Sequence, residues 1–419
     1  MLQHDASSDA SAVYRPGVRA RLRPALPSRR RRRIAALSGE DRAALGIWAA
    51  AHLALLVLAW ASAWAFRSTR AHASLTGAFE HWDAYLLRNI AEYGYFGQHS
   101  IPNNAAFFPG YPVALSMVHL IVRNWTVAEL AVPAVAGCFA VVSLARLGGG
   151  RRATLYLVTA PAAIFLMVGY SEALFLALAA PAWHAATRGR WWRAALLAGL
   201  AGLVRPDGLF LIPALVIMAL TGSYRPDQRP GPDGQLDADS WPAERGPRVP
   251  VRLRLANAVA AGTALAGPAA YEVYLRVHTG SWTAWSNALR SGWDLHLSTP
   301  AQALRTTWWA AFRHPFSAST AFEFQLELGV MAVMLLAAVA FAAARRWPEA
   351  VYCGLAVVAL GTSTWYQTAP RTLLVLFPVW VALARLGERW PWIRYAYLAV
   401  SAPIAVVLGM LFLSGMWAG

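Results

Sequence analysis

The chain has 419 residues, 58% of them hydrophobic and 14% charged, with a mean hydropathy of +0.40, values that exclude an ordinary soluble domain and mark a multi-pass membrane protein. All 37 basic residues are Arg, against 21 acidic ones; they cluster in loops between apolar segments, so the formal charge of +16 follows membrane topology rather than a nucleic-acid partner. Cys138 and Cys353 lie inside apolar segments, and there is neither an HExxH arrangement nor a Gly-rich phosphate loop with a Lys, so no disulfide framework, metal site, cofactor or nucleotide-driven pump is expected.

Residues 1–42 are polar, contain Pro and include the run SRRRRR from Ser28 to Arg33; they read as a disordered basic tail on the cytoplasmic side. Residues 43–419 form the membrane domain. Its first apolar segment, Ala43 to Phe66, is too long for a signal-peptide core and reads as a retained span with its basic flank inside. Residues 67–126 then form an outer loop. Within it, Trp82, Leu86, Ile90 and Tyr93 recur at helical spacing while His81, Tyr85, Arg88 and Glu92 fall on another face, predicting a short amphipathic helix from Asp83 to Tyr93 that Gly94 ends. Its aromatic residues suit the membrane interface. Asp83 opens this helix, where position alone favours a cap accepting orphan backbone amides. The segment after Pro109, Gly110 and Pro112, down to about Val122, reads as a surface or partly inserted helix.

Further spans are expected at about Val127–Leu147, Ala153–Val168, Ser171–Ala186, Trp191–Val204, Leu209–Leu220, Leu255–Val277, Leu326–Ala344, Glu349–Gly361, Thr372–Leu386 and Ile393–Leu413, about eleven in all. Arg-rich and Arg-poor loops alternate along this assignment, placing the N-terminus inside and the C-terminus outside. Residues 222–253, rich in Pro, Gly and Asp, read as a cytoplasmic linker. Residues 279–325 are a second outer loop, rich in Trp, in which Gln302–Phe312 reads as another interfacial helix able to roof a cleft.

Polar groups beside apolar segments fall mostly at the expected outer ends: Asp83 and Arg88; Tyr170, Ser171 and Glu172; Arg205 and Asp207 in RPDG; Gln367 and Arg371 in STWYQTAPR. Each alone could be a cap, a turn or an interfacial anchor. Their recurrence on one membrane face points to a cleft there, in which paired arginines suit a phosphate and an acid suits a base.

The strings WDAYLLRNIAEYGY, AFFPGYP, GYSEALFLAL, RPDGLFLIP and PRTLLVLFPVW, in this order, resemble the PIG-V family, the second GPI mannosyltransferase and its bacterial relatives, over about Ala43 to the C-terminal helix. Gly110 departs from the bulkier apolar residue common in relatives. The resemblance implies an all-α polytopic protein of the GT-C glycosyltransferase type in the plasma membrane. It further implies a polyprenyl-phosphate-mannose donor, no nucleotide sugar, and an active site on the extracytoplasmic face. It makes Asp83 the expected catalytic base and raises that role above capping. The expected substrate-binding residues are Trp82, Arg88, Tyr111, Tyr170, Glu172, Arg205, Asp207, Gln367 and Arg371, with the two last-named arginines on the departing phosphate. The acceptor would be a lipid, a glycan or a protein, and no nucleic acid. The competing readings are a transferase for another lipid-linked sugar and a transporter or flippase of such lipids; no repeated halves or buried midplane charge pair support the latter.

Overall fold

The computed structural model describes residues 37–65, 77–224, 249–313 and 316–417, and among them every extended regular element is helical. The basic tail up to residue 36 and most of the linker, residues 225–248, lie outside the described residues.

Helix α1, Gly39–Ala65, starts on a reciprocal cap. The Ser38 amide donates to Asp41 Oδ2 and the Asp41 amide to Ser38 Oγ, so two orphan donors are satisfied at once. One face of α1 exposes Leu53, Leu56, Val57, Trp60 and Trp64, while Ala44, Trp48, Leu55 and Ala59 are buried. Trp48 Nε1 donates to the Ala134 carbonyl at 3.0 Å, and its ring lies where a Cβ on Gly137 would be. Gly137→Ala therefore forces the indole aside. The expected loss is about 1–3 kcal/mol, the usual cost of overpacking, read by thermal unfolding in detergent.

The chain after α1 supplies α2, Asp83–Tyr93, and α3, Gly110–Val122. Helix α2 has the predicted bounds. Gly110 packs so tightly on the chain at Leu203 and Val204 that an added Cβ would stand 2.8 Å from the Leu203 carbonyl oxygen, which gives the departure from a bulkier residue a steric cause. Helix α4, Trp125–Leu144, capped by the Asn124 side chain, runs through a kinked turn into α5, Gly150–Val158. The predicted span Ala153–Val168 is not one helix. It ends at Val158 because Pro161 follows, and residues 162–170 are buried irregular chain and a 3₁₀ turn inside the bundle, apolar because protein surrounds them.

Next come α6 (Glu172–Thr187), α7 (Trp191–Val204), α8 (Gly208–Thr221), α9 (Val251–Gly262) and α10 (Ala266–Thr279). The last two divide the predicted Leu255–Val277 span at a short 3₁₀ turn, Thr263–Leu265. The Trp-rich segment that follows folds into α11 (Ala284–Trp293) and α12 (Pro300–Phe312). Then α13 (Ala318–Ala343), α14 (Trp347–Gly361), α15 (Ala369–Val375), α16 (Phe377–Arg389) and α17 (Pro391–Leu413) complete the chain.

Where one helix was predicted over Thr372–Leu386, α15 and α16 meet at a 74° bend. Pro378 has no N–H to give the Leu374 carbonyl; Trp380 Nε1 supplies that bond at 3.0 Å, and Tyr352 Oη donates to Val375 O at 3.0 Å. Among the described residues, four stretches are long and apolar enough to cross a membrane, Gly39–Trp64, Trp125–Val158, Ala318–Ala343 and Pro391–Leu413, or five with the bent pair as one span. Four shorter apolar helices, α3, α7, α8 and α14, accompany them. The chain is an all-α, multi-pass membrane protein, with its helices more broken than a count of apolar runs implies.

Candidate active site

Asp83 is the first residue of α2, the N-cap position being Trp82, and its side chain is not engaged by the amides of its own helix. Its Oδ2 instead accepts from Arg371 Nη1 at 2.8 Å. The carboxylate thus faces away from its own helix end, which corrects the capping expectation. The preceding Trp82 takes φ +56°, a conformation costly for a bulky residue, and turns the chain so that α2 starts here.

Arg371 is held on both sides. Its Nε donates to Glu172 Oε1 at 2.7 Å, and the guanidinium lies 4.9 and 4.8 Å from the ring centroids of Phe165 and Tyr170, positions where the π faces attract a cation. The same Glu172 oxygen accepts from Arg205 Nη1 at 2.7 Å, and Arg205 Nε donates to Asp207 Oδ2 at 2.9 Å. Asp83, Arg371, Glu172, Arg205 and Asp207 therefore form one continuous relay of three carboxylates and two guanidiniums, with one negative charge in excess. Burial works against the Arg205 charge, and Asp207 and Glu172 outweigh it, leaving its pKa above the usual arginine value.

Local sequence explains how these groups reach one place. Arg205 is extended at the end of α7, and Pro206 and Asp207 turn the chain into α8, so an arginine and an acid two residues apart face the same corner. Thr368 adopts φ +63° at the start of α15 and Pro370 follows, setting Arg371 on the first turn. The Thr368 amide donates to Glu327 Oε1 at 3.2 Å. Glu323 and Glu327, both buried on α13, were absent from the sequence-based candidates; two acids four apart in an apolar helix are the signal that flags them. Glu327→Leu leaves that amide unsatisfied and is expected to cost about 1–3 kcal/mol and to lower any activity that depends on Arg371. Glu327→Gln keeps an acceptor oxygen and should stay near the parent in thermal unfolding; equal losses in the two would show that the hydrogen bond is not what Glu327 contributes.

A cavity of about 300 Å³ opens on this relay. Asp83, Arg205, Asp207, Gln367 and Arg371 line it, opposite aromatic walls from Phe107, Phe108, Trp285 and Trp293. Those walls rest on a loop with three successive carbonyls engaged: Tyr95 Oη and Trp285 Nε1 donate to Phe107 O and Ala106 O at 2.9 and 3.1 Å, and Tyr271 Oη donates to Ala105 O at 2.9 Å. Asn89 fastens the same loop through His99 O and the Ile101 amide.

The other sequence candidates lie elsewhere. Glu172 sits behind the cavity wall, fully buried, as the bridge between the arginines. Tyr170 is also behind it, donating to His81 O at 3.2 Å; burial, with the Asp83 charge, pushes its phenol well above the usual range. Trp82 is exposed and meets Trp417, a cavity-lining residue, edge to face at 5.1 Å. Arg88 is not brought to the cavity: it pairs with Glu80 at 3.1 Å and Glu92 at 3.9 Å on the far face of α2. Tyr111 is buried and reaches the Glu129 carbonyl at 3.4 Å, so packing of α3 on α4 absorbs it. Gln367 lines the cavity with a buried Oε1 that has no partner among the described residues.

Residues 50–228 match the family profile described as Mannosyltransferase (PIG-V). This stretch, under half of the chain, is similar to the PIG-V mannosyltransferases. It is 35% identical over 161 residues to the GPI alpha-1,6-mannosyltransferase 2 of Rattus norvegicus, covering 34% of this chain and 32% of that protein. With the Homo sapiens protein of the same name it shares 35% identity over 168 residues, 36% of this chain and 33% of the other. The chain thus spans about a third of the length of these mammalian relatives. An archaeal oligosaccharyltransferase structure, AglB from Archaeoglobus fulgidus, aligns over 88% of this chain and 56% of its own at a TM-score of 0.39 and 14% identity. The PIG-V match contains Asp83, Glu172, Arg205 and Asp207 and stops before Gln367 and Arg371.

Proposed function

We propose that the protein is a GT-C-type membrane mannosyltransferase that moves mannose, with inversion, from a polyprenyl-phosphate-mannose to an acceptor hydroxyl on the extracytoplasmic face. The observation that carries the reading is the Asp83–Arg371 pair at the wall of one aromatic-sided cavity. It sets a carboxylate beside a guanidinium that can receive a leaving phosphate.

In this reading the acceptor hydroxyl attacks the anomeric carbon from the face opposite the phosphate. Its proton passes to Asp83 as the bond from the anomeric carbon to the phosphate oxygen breaks. Polyprenyl phosphate leaves carrying the bonding pair. Nε and Nη1 of both Arg205 and Arg371 are already engaged by protein groups, so Nη2 of each is the group that meets the growing phosphate charge. The relay's excess negative charge holds the arginines in place before the donor arrives, so little reorganisation is needed when charge develops. Gln367 offers an acceptor oxygen to a sugar hydroxyl.

Reconstitution with radiolabelled polyprenyl-phosphate-mannose and a membrane extract tests the reading. Label should move to a new acceptor, and Arg205→Gln and Arg371→Gln should each weaken donor binding. Transfer from a different lipid-linked sugar alone would reassign the donor; unchanged donor affinity in both variants would place the phosphate elsewhere.

A further inference from the structure

At the opposite end of the bundle from the relay, most arginines have a partner. Arg146 pairs with Asp41 at 2.8 Å, Arg346 with Glu349 at 3.1 Å and Arg152 with Glu388. Glu40 is also committed, accepting from the Arg151 amide. Arg389 and Arg394 lie over the rings of Trp390 and Tyr395.

The corner between α6 and α7 differs. Arg188 ends α6, Arg190 precedes α7 and Arg193 is in its first turn. None of the three makes an ion pair among the described residues, the acids of this end being taken. Two buried donors in this turn, Arg188 Nε and Trp191 Nε1, are left without partners, as is His184 Nδ1 one turn earlier on α6. Burial, with Arg190 and Arg146 nearby, lowers the Arg188 pKa, as expected where like charges gather without a counter-ion. A set of unmet donors calls for a ligand made of acceptors.

The surface that continues from this corner is apolar. Trp192, Leu196 and Leu200 follow at four-residue steps along α7, on one face, and are 70%, 65% and 42% exposed. Between them the buried face of α7 carries Ala194, Ala195, Ala198 and Gly199. Charge and stripe together describe an amphiphile: an anionic head on the arginines with a hydrocarbon tail below it.

We propose that the α6–α7 corner binds an anionic lipid, its phosphate held by Arg188, Arg190 and Arg193 and its acyl chain lying along Trp192, Leu196 and Leu200. A basic pocket between helix ends is a recurrent way of holding such headgroups. The positive end of α7 adds unpaired amides to the same spot. The site is independent of the transfer chemistry proposed above and lies away from its cavity.

The test is native mass spectrometry of the full-length protein in neutral detergent, titrated in parallel with phosphatidylglycerol and phosphatidylcholine. Parent protein should keep bound phosphatidylglycerol in preference to phosphatidylcholine. R190Q/R193Q should lower that retention about thirtyfold, given the attraction typical of each surface arginine. Both side chains are exposed, so thermal unfolding should not change. R345Q/R389Q, at the same end, should retain the lipid, and the run from Ser28 to Arg33, common to all arms, cancels. Three outcomes overturn the assignment: equal retention of the two lipids, equal loss in both double variants, or complete displacement of phosphatidylglycerol by excess inorganic phosphate. The last would mark a site for the free anion instead.

Discussion

Asp83→Asn is expected to cut mannosyl transfer by about 10²–10⁴-fold, the usual contribution of a positioned base, with the folded protein intact. The variant separates charge and basicity from shape. Asn keeps an oxygen where Asp83 Oδ2 now accepts from Arg371, so the bond that joins α2 to α15 has a replacement. The N-cap position is Trp82, and the Asp83 carboxylate bonds to Arg371 rather than to its own helix. What Asn lacks is the ability to take a proton from the acceptor. Transfer measured in purified protein, beside thermal unfolding and donor affinity, gives the decision. Near-parental transfer with both controls unchanged would remove Asp83 from the base role and direct attention to Asp207, the other carboxylate on the cavity wall.

The largest expected effect on stability belongs to Glu172→Ala. One oxygen of this fully buried carboxylate accepts from two guanidiniums, each at 2.7 Å. Removing it leaves two nearly buried cations facing each other with only Asp83 and Asp207 at the ends of the chain. Breaking a buried ion pair by deleting one partner typically costs about 3–5 kcal/mol, because the remaining charge is stranded. Glu92→Ala is the contrast: that acid meets Arg88 at 3.9 Å on the surface of α2, where a pair is worth about 0–1 kcal/mol. Thermal unfolding in detergent should separate the two clearly, and comparable small shifts for both would show that the relay does not hold the bundle together.

How much of this was readable beforehand depended on which physical property the residue pattern encodes. Trp82, Leu86, Ile90 and Tyr93 marked one face of α2 because period 3.6 is a local property, and the helix has the bounds that spacing gave. Asp83, Arg205, Asp207, Gln367 and Arg371 were named as candidates from polarity at segment ends and from the family resemblance, and they share one cavity. Arg88 and Tyr111 sit in the same motifs, yet side-chain direction sends one to Glu80 and the other into the α3–α4 packing. Hydropathy reports removal from water without saying whether lipid or protein does the removing. For this reason the buried chain at 162–170 looked like part of a span. The break before α16 needed the unpaired carbonyl that Pro378 creates to be counted. Glu327 was hidden because its partner is a backbone amide 41 residues away.

The relay also has an order of synthesis. Asp83, Glu172, Arg205 and Asp207 leave the ribosome long before Arg371, which lies 288 residues beyond Asp83 and 199 beyond Glu172. Until it arrives, three carboxylates face a single guanidinium. A nascent bundle is therefore expected to carry an excess of acid at this place until α15 is made. Arrival of α15 brings the second guanidinium to Glu172 and Asp83. The last helices to be made thus act as a latch, and a chain stopped short of residue 371 should be recognised by membrane quality control as unfinished even though most of its apolar segments are already in place.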